Sequence, residues 1–169
     1  MTALYIITRY VTFPGAFIRC FYEHIMLKIT KTPVEDDRYI RDDEMSSHIE
    51  HELIKGPTAA FFTALIPCLL CLWGALLMAM CPVVFRPTSV AGTIFTGLSV
   101  WFAVSLLSNC FPSVEDALNL ADRIYRKGNL FQKIIFAPFF AVLFVGAYAE
   151  RYSVSFFGAM AAVVAVFVF

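Results

Sequence analysis

The residues able to ligate a metal or move a proton are few. Glu23 and His24 lie near the N-terminus, His48, His51 and Glu52 lie within an acidic stretch, and Asp116 stands well beyond them. A helix opened by Ser47 would put His48, His51 and Glu52 on one face, where two or three of them could bind zinc. An HxxH pair fixes no further ligand, however, and the same residues serve equally as a solvated polar face beside Lys55. Cys68 and Cys71 have the CxxC spacing but follow Pro67 inside an apolar run, where thiolate formation is disfavoured, so they read as small packing residues. Cys20, Cys81 and Cys110 add no pattern, and a reducing cytoplasm leaves them unpaired. Ser105, Ser108 and Asn109 form a polar group at helical spacing. It reads first as hydrogen bonding between helices and second as the lining of a cavity. Thr93 with Gly97, and Gly158 with Ala162, have the four-residue spacing that suits close helix contact.

The elements that must hold these residues are membrane helices. Of 169 residues 60% are hydrophobic and 15% charged, far from the composition of a soluble domain. Thirteen Lys and Arg balance thirteen Asp and Glu, so no charge excess points to nucleic acid. The reading is an all-α polytopic integral membrane protein, with about four transmembrane helices in two hairpins plus interfacial amphipathic helices. The first hairpin occupies residues 57–112, with spans Thr58 to Cys81 and Thr88 to Cys110 around a turn at Arg86 and Pro87. The second occupies 134–169, and its turn sets Glu150 and Arg151 among the lipid headgroups. The chain stops on an apolar run at 166–169, as a truncated C-terminus would.

Lys and Arg beside the spans cluster in residues 28–55 and 123–133, against only Arg86 and Arg151 on the other side. This puts loops 31–56 and 113–133 in the cytoplasm of a multi-pass cell-membrane protein, and Arg86 and Arg151 outside. Residues 1–30 break at Phe13-Pro14-Gly15, then place Phe17, Ile18, Phe21, Ile25 and Ile29 on one face and Arg19, Glu23 and Lys28 largely opposite. That pattern predicts an interfacial or re-entrant helix. Within the acidic segment 31–56, the boxes Thr32-Pro33-Val34-Glu35 and Ser47-His48-Ile49-Glu50 predict short surface helices, the second closed by Gly56. In 113–133, Ser113 caps an amphipathic surface helix with acids in its first turn, cations in its last, and Gly128 after it.

Two motifs carry a resemblance: Phe13-Pro14-Gly15-Ala16-Phe17-Ile18, and Asn109-Cys110-Phe111-Pro112-Ser113-Val114-Glu115-Asp116-Ala117. Over roughly Thr12 to Tyr148 the chain resembles small prokaryotic membrane proteins related to site-two-protease-like zincins. In that family a Pro-Gly break leads into an HExxH helix, and a later Phe-Pro-Ser segment carries an Asp. The resemblance implies a metalloprotease-like scaffold, with Asp116 at the family's Asp. Arg19 and Glu23 stand where the zinc-binding histidines would be, and Cys20 where the general-base Glu would be, so the HExxH is degenerate. Arg19 cannot ligate zinc, and an Arg19–Glu23 ion pair would take the place of the metal. His24, one residue out of register, would need His48 or His51 to rebuild a site.

The expectation is therefore a non-catalytic scaffold, without a cofactor, that engages a partner through its cytoplasmic face or a second copy through its transmembrane helices. The first alternative is a zinc-dependent membrane metalloprotease with a rearranged site drawn from His24, His48, His51, Glu52 and Asp116, acting through a metal-bound water. The second is a small accessory subunit of a membrane complex.

Overall fold

The computed structural model of the chain describes residues 3–36, 39, 48–85 and 88–168. About 81% of it is helical, with almost no sheet. In chain order the elements are α1 (Ala3–Val11), α2 (Phe13–Thr30), β1 (Val34–Asp36), β2 (Glu50–His51), α3 (Pro57–Val84) and α4 (Val90–Ser108). They continue with α5 (Val114–Asp122), a wider π-helical turn Arg123–Lys127, α6 (Leu130–Arg151) and α7 (Val154–Val168). Among the described residues three helices, α3, α4 and α6, are long and apolar enough to cross a membrane, and α7 is a shorter apolar helix.

α3 and α4 pair because small residues let their axes approach. Ala75 is buried with Leu106, and Ala79 with Ala103, and a side chain at Gly74 would already press on Leu106. Gly56 opens α3 at φ 115°, a conformation open to glycine and strained for other residues, and so starts this helix instead of closing an earlier one. Ser89 caps α4 by accepting from the Gly92 amide at 3.1 Å. The turn expected at Arg86 and Pro87 lies outside the described residues. α7 packs along α4 through Val163 against Ala79 and Ala103. A side chain at Gly97 or Gly158 would meet nothing within 4 Å among the described residues, and Thr93 and Ala162 are likewise exposed, so these small-residue stripes face outward.

α6 follows the end of the bundle instead of its length. Gln132 donates to Thr58 at 3.1 Å, Phe136 stacks on Phe61 with ring centroids 4.0 Å apart, and Gly146 lies against Phe111. Thr58 and Phe61 begin α3 while Phe111 follows α4, and both belong to one end of the hairpin. The α6–α7 turn returns to this same end, since Glu150 comes within 3.5 Å of His48. This corrects one expectation from charge, because the turn lies beside the acidic segment and not at the far end of the helices from it. Glu150 is itself buried within the protein, 5% exposed.

The acidic segment differs as well. Val34–Asp36 and Glu50–His51 form a short antiparallel pair, extended by the Glu52 amide on the Pro33 carbonyl at 3.1 Å. α2 has already ended at Lys31, held left-handed at φ 54°, so Thr32 opens no helix and the Val34 region pairs as a strand. Of the second predicted box, Ser47 lies outside the described residues and Glu50 is in a strand. α5, by contrast, starts where its cap predicts: Ser113 accepts from the Asp116 amide at 3.0 Å. Its buried stripe is Ala117, Leu120 and, past its end, Ile124, while Leu118 and Tyr125 of the expected apolar face stay exposed.

In α2 the two expected faces are present. Phe17, Phe21, Ile25 and Ile29 point outward, whereas Arg19 and Glu23 are 0% and 2% exposed and Lys28 is exposed. This is the opposite of an amphipathic helix packed on a soluble core, and it suits an apolar surrounding.

Candidate metal centre

Two polar assemblies occupy this end of the bundle. The first docks the elbow between α1 and α2 onto the end of α4. Trp101 Nε1 donates to the Val11 carbonyl at 2.8 Å, Ser105 Oγ to the Thr12 carbonyl at 2.7 Å, and Asn109 Nδ2 to Thr12 Oγ1 at 3.0 Å. The Gly15 amide in turn donates to Ser105 Oγ at 2.7 Å. Arg9 completes the assembly, reaching Asn109 Oδ1 at 2.5 Å and Glu150 Oε1 at 2.7 Å. Two of the three residues of the polar cluster in α4 thus bind another helix. Ser108 bonds back to the Val104 carbonyl of its own helix at 2.6 Å.

The second assembly brings together residues from α2, the segment before β2, β2 and α5. Ligand atoms of Glu23, His48 and Asp116 all lie within 4.8 Å of one another. His48 bridges two acids: its Nδ1 is 3.5 Å from Glu23 Oε2 and its Nε2 3.5 Å from Glu150 Oε1. His51 Nε2 is 3.3 Å from Asp116 Oδ1, and Asp116 Oδ2 accepts from Ser113 at 2.7 Å. Burial disfavours the charged form of each group, but the acids overcome it at both histidines. Glu150 and Glu23 hold His48 above the usual imidazole value, and Asp116 with the Glu52 carbonyl lifts His51 to about 9. Burial likewise pushes Asp116 up, and the bond to His51 more than reverses this, leaving its carboxyl below the usual range. The set therefore holds carboxylates against imidazolium, as in a buried ion-pair network, and a metal at this place would displace the His48 proton.

Comparison with protein-family models, curated proteins and solved structures finds no match. The reading of this chain rests on its own geometry.

That geometry sorts the predicted residues. His48, His51 and Asp116 meet, with His51 supporting Asp116. Glu52 is exposed, and His24 packs edge-on against Tyr39 with ring centroids 6.0 Å apart, so neither joins them. Glu23, counted among the metal-capable carboxylates and also standing at a degenerate motif position, is the third member. The expected Arg19–Glu23 ion pair does not form. Arg19 Nε donates to the Phe111 carbonyl at 3.3 Å and Glu23 turns to His48. Cys20 is buried with Leu27 and Ile49 as a packing residue. Sequence reasoning missed Arg9 and Glu150, whose partnership joins positions 141 residues apart. The available signal was the lone Arg9 in an apolar stretch and the Glu150–Arg151 pair interrupting another.

A cleft opens beside this assembly, lined by Arg19, Glu23, His51, Thr63 and Asp116 with apolar Ile54, Ala64 and Leu120. One imidazole and two carboxylates are a donor set suited to zinc, and three protein ligands leave a further position open. Glu23 Oε2 is buried and accepts no hydrogen bond among the described residues, which fits a ligand atom waiting for a cation.

Proposed function

We propose that the chain is a multi-pass integral membrane protein built around a zinc-type centre of Glu23, His48 and Asp116. Of the readings open to the sequence, this favours the zinc-dependent membrane hydrolase with a rearranged site. The supporting observation is the convergence of three ligand atoms within 4.8 Å from segments distant in the chain. In this reading α3 and α4 cross the bilayer, and the centre lies at the end of their hairpin, beside α6. The abundance of Lys and Arg near residues 28–55 and 123–133 makes that face cytoplasmic. Asp116 occupies the position of the family Asp in the zincin-like resemblance, while His48 and Glu23 replace the lost HExxH ligands.

The experiment is elemental mass spectrometry of detergent-purified protein, with Glu23→Gln, His48→Ala and Asp116→Asn variants. About one zinc per chain, lost in each variant that still folds, supports the centre. Less than about a tenth of an equivalent after zinc loading and desalting overturns it.

A second reading is favoured by the charges themselves. Arg9 already pairs with Glu150 and His51 with Asp116. A non-catalytic scaffold, in which these pairs pin the polar segment to the helices, would leave that segment's outer surface to engage a partner. The same measurement separates the two, because a charge lock survives metal depletion without loss of stability.

A further inference from the structure

The outer surface where α5 passes into α6 carries positive charge that no described acid answers. Residues 123–135 hold Arg123, Arg126, Lys127 and Lys133 and no Asp or Glu. Arg126 is taken up by Asp122, with Nε 2.6 Å from Oδ1. Arg123, Lys127 and Lys133 make no ion pair among the described residues, and neither does Lys55. Lys55 and Lys127 are exposed, and Arg123 and Lys133 half-buried. The start of α6 lies on the start of α3 through the Gln132–Thr58 bond, and Arg123 borders the same cleft as Ile54 and Ala60. Lys55, next to Ile54, therefore belongs with the other three cations in one collar. Directly past the collar the outward face of α6 is apolar. Leu130 and Phe131 are 75% and 74% exposed, Ile134, Phe139, Val142 and Val145 continue the face, and no charge follows Lys133 until Glu150.

We propose that this collar is a binding site for anionic phospholipid, with Lys55, Arg123, Lys127 and Lys133 on the headgroup phosphate and Leu130, Phe131 and Ile134 on the acyl chains. Guanidinium and ammonium groups suit a phosphate, and each Lys or Arg held at an anionic bilayer surface strengthens binding about fivefold. Other occupants fit only half of the surface. A second copy of the chain would bring the same cations to this face and be repelled. An acidic soluble segment would answer the charge but leave Leu130 and Phe131 in water. A lipid carries its negative group and its hydrocarbon in the order in which the collar and the apolar face follow one another along the chain. All of these contacts lie on the outside of the bundle, so nothing has to enter its interior. The proposal rests on the membrane reading above but not on the zinc-type centre.

The test gives the full chain in detergent equal amounts of phosphatidylglycerol and phosphatidylcholine with the same acyl chains, and counts the lipids retained by native mass spectrometry. Phosphatidylglycerol should be retained at least about fivefold over phosphatidylcholine, and the preference should shrink as salt is raised. Combining Arg123→Gln, Lys127→Gln and Lys133→Gln should bring the two lipids to within about twofold of each other. Arg151→Gln, at the opposite end of α6, should leave the preference unchanged. If the triple variant fails to fold by circular dichroism, Lys127→Gln alone carries the test, lowering the preference at least about twofold. Equal retention of the two lipids, or a preference that persists when the cations are removed, overturns the proposal. So does a dimer that forms in lipid-poor detergent and is lost in the triple variant, which gives the face to a second copy. Reconstitution separates this site from the reading beneath it. A chain that enters phosphatidylcholine nanodiscs but selects no phosphatidylglycerol keeps its place in the membrane and loses the site, whereas one that stays outside discs of either lipid loses both.

Discussion

The elbow dock and the metal-centre cleft are built from the same kinds of residue at the same end of the bundle, yet they differ in how completely they are satisfied. In the dock, Arg9, Thr12, Ser105 and Asn109 meet partners at 2.5–3.0 Å. In the cleft the histidine–carboxylate contacts stretch to 3.3–3.5 Å beside the 2.7 Å Ser113–Asp116 bond, and Arg19, Glu23 and Thr63 each leave a buried atom without a hydrogen bond among the described residues. Short bonds fix geometry, so the first region is the structural joint, and the second is where we place the proposed centre.

Substitutions can break that division, and the dock should suffer most. Arg9→Met strands the buried Glu150 carboxylate, an error worth about 3–5 kcal/mol when one partner of a buried pair is removed. Pairing it with Glu150→Gln should restore much of the loss in thermal or denaturant unfolding. An Arg9→Met protein as stable as the parent would show that the dock is not a structural joint. Next comes Gly15→Ala. A methyl there would fall 2.0 Å from the Ser105 carbonyl oxygen, backbone against backbone, so α2 must lift away from α4. Overpacking of this kind should remove about 2–3 kcal/mol.

The remaining effects are smaller. Ser113→Ala deletes both the cap of α5 and the hydrogen bond to Asp116 Oδ2, and should lower stability by about 1 kcal/mol while leaving the helix content of circular dichroism nearly unchanged. Glu23→Gln should be the mildest in metal-free protein, under about 1 kcal/mol, because a neutral isostere of a poorly paired buried acid is close to neutral for stability. In zinc-loaded protein the same variant should lose the metal and whatever melting-temperature gain the metal confers. Equal stability losses from Glu23→Gln and Arg9→Met would erase the contrast between the two regions.

What could be read in advance follows from the range of each signal. Charge-free runs locate α3 and α4, because hydrocarbon admits nothing else over that length. The start of α5 is legible from Ser113 and its neighbours, since a cap acts within three residues. Ser105 and Asn109 announce themselves by spacing, and they do bind another helix. The burial of Arg19 and Glu23 inside the protein was not legible, because the period of α2 is the same whether its apolar face looks in or out. β1 and β2 were missed because three residues paired with two carry no periodicity. Within the site, His48, His51 and Asp116 were visible by residue type. Glu23 was visible by type as well, but its place in a degenerate motif pointed to Arg19 as its partner; Glu150 was hidden by its distance along the chain from Arg9 and His48.

The inverted face of α2 also bears on the order of assembly during synthesis. Arg19, Glu23 and the adjoining Arg9 emerge first, but their contacts with Phe111, His48 and Glu150 arrive later, the last of them 141 residues on. At roughly 5–20 residues per second that interval is about 7–28 s. Until then the N-terminal helices have no interior to hide their charges in. The Arg9–Glu150 pair is thus the last of these contacts to become available as the chain is made.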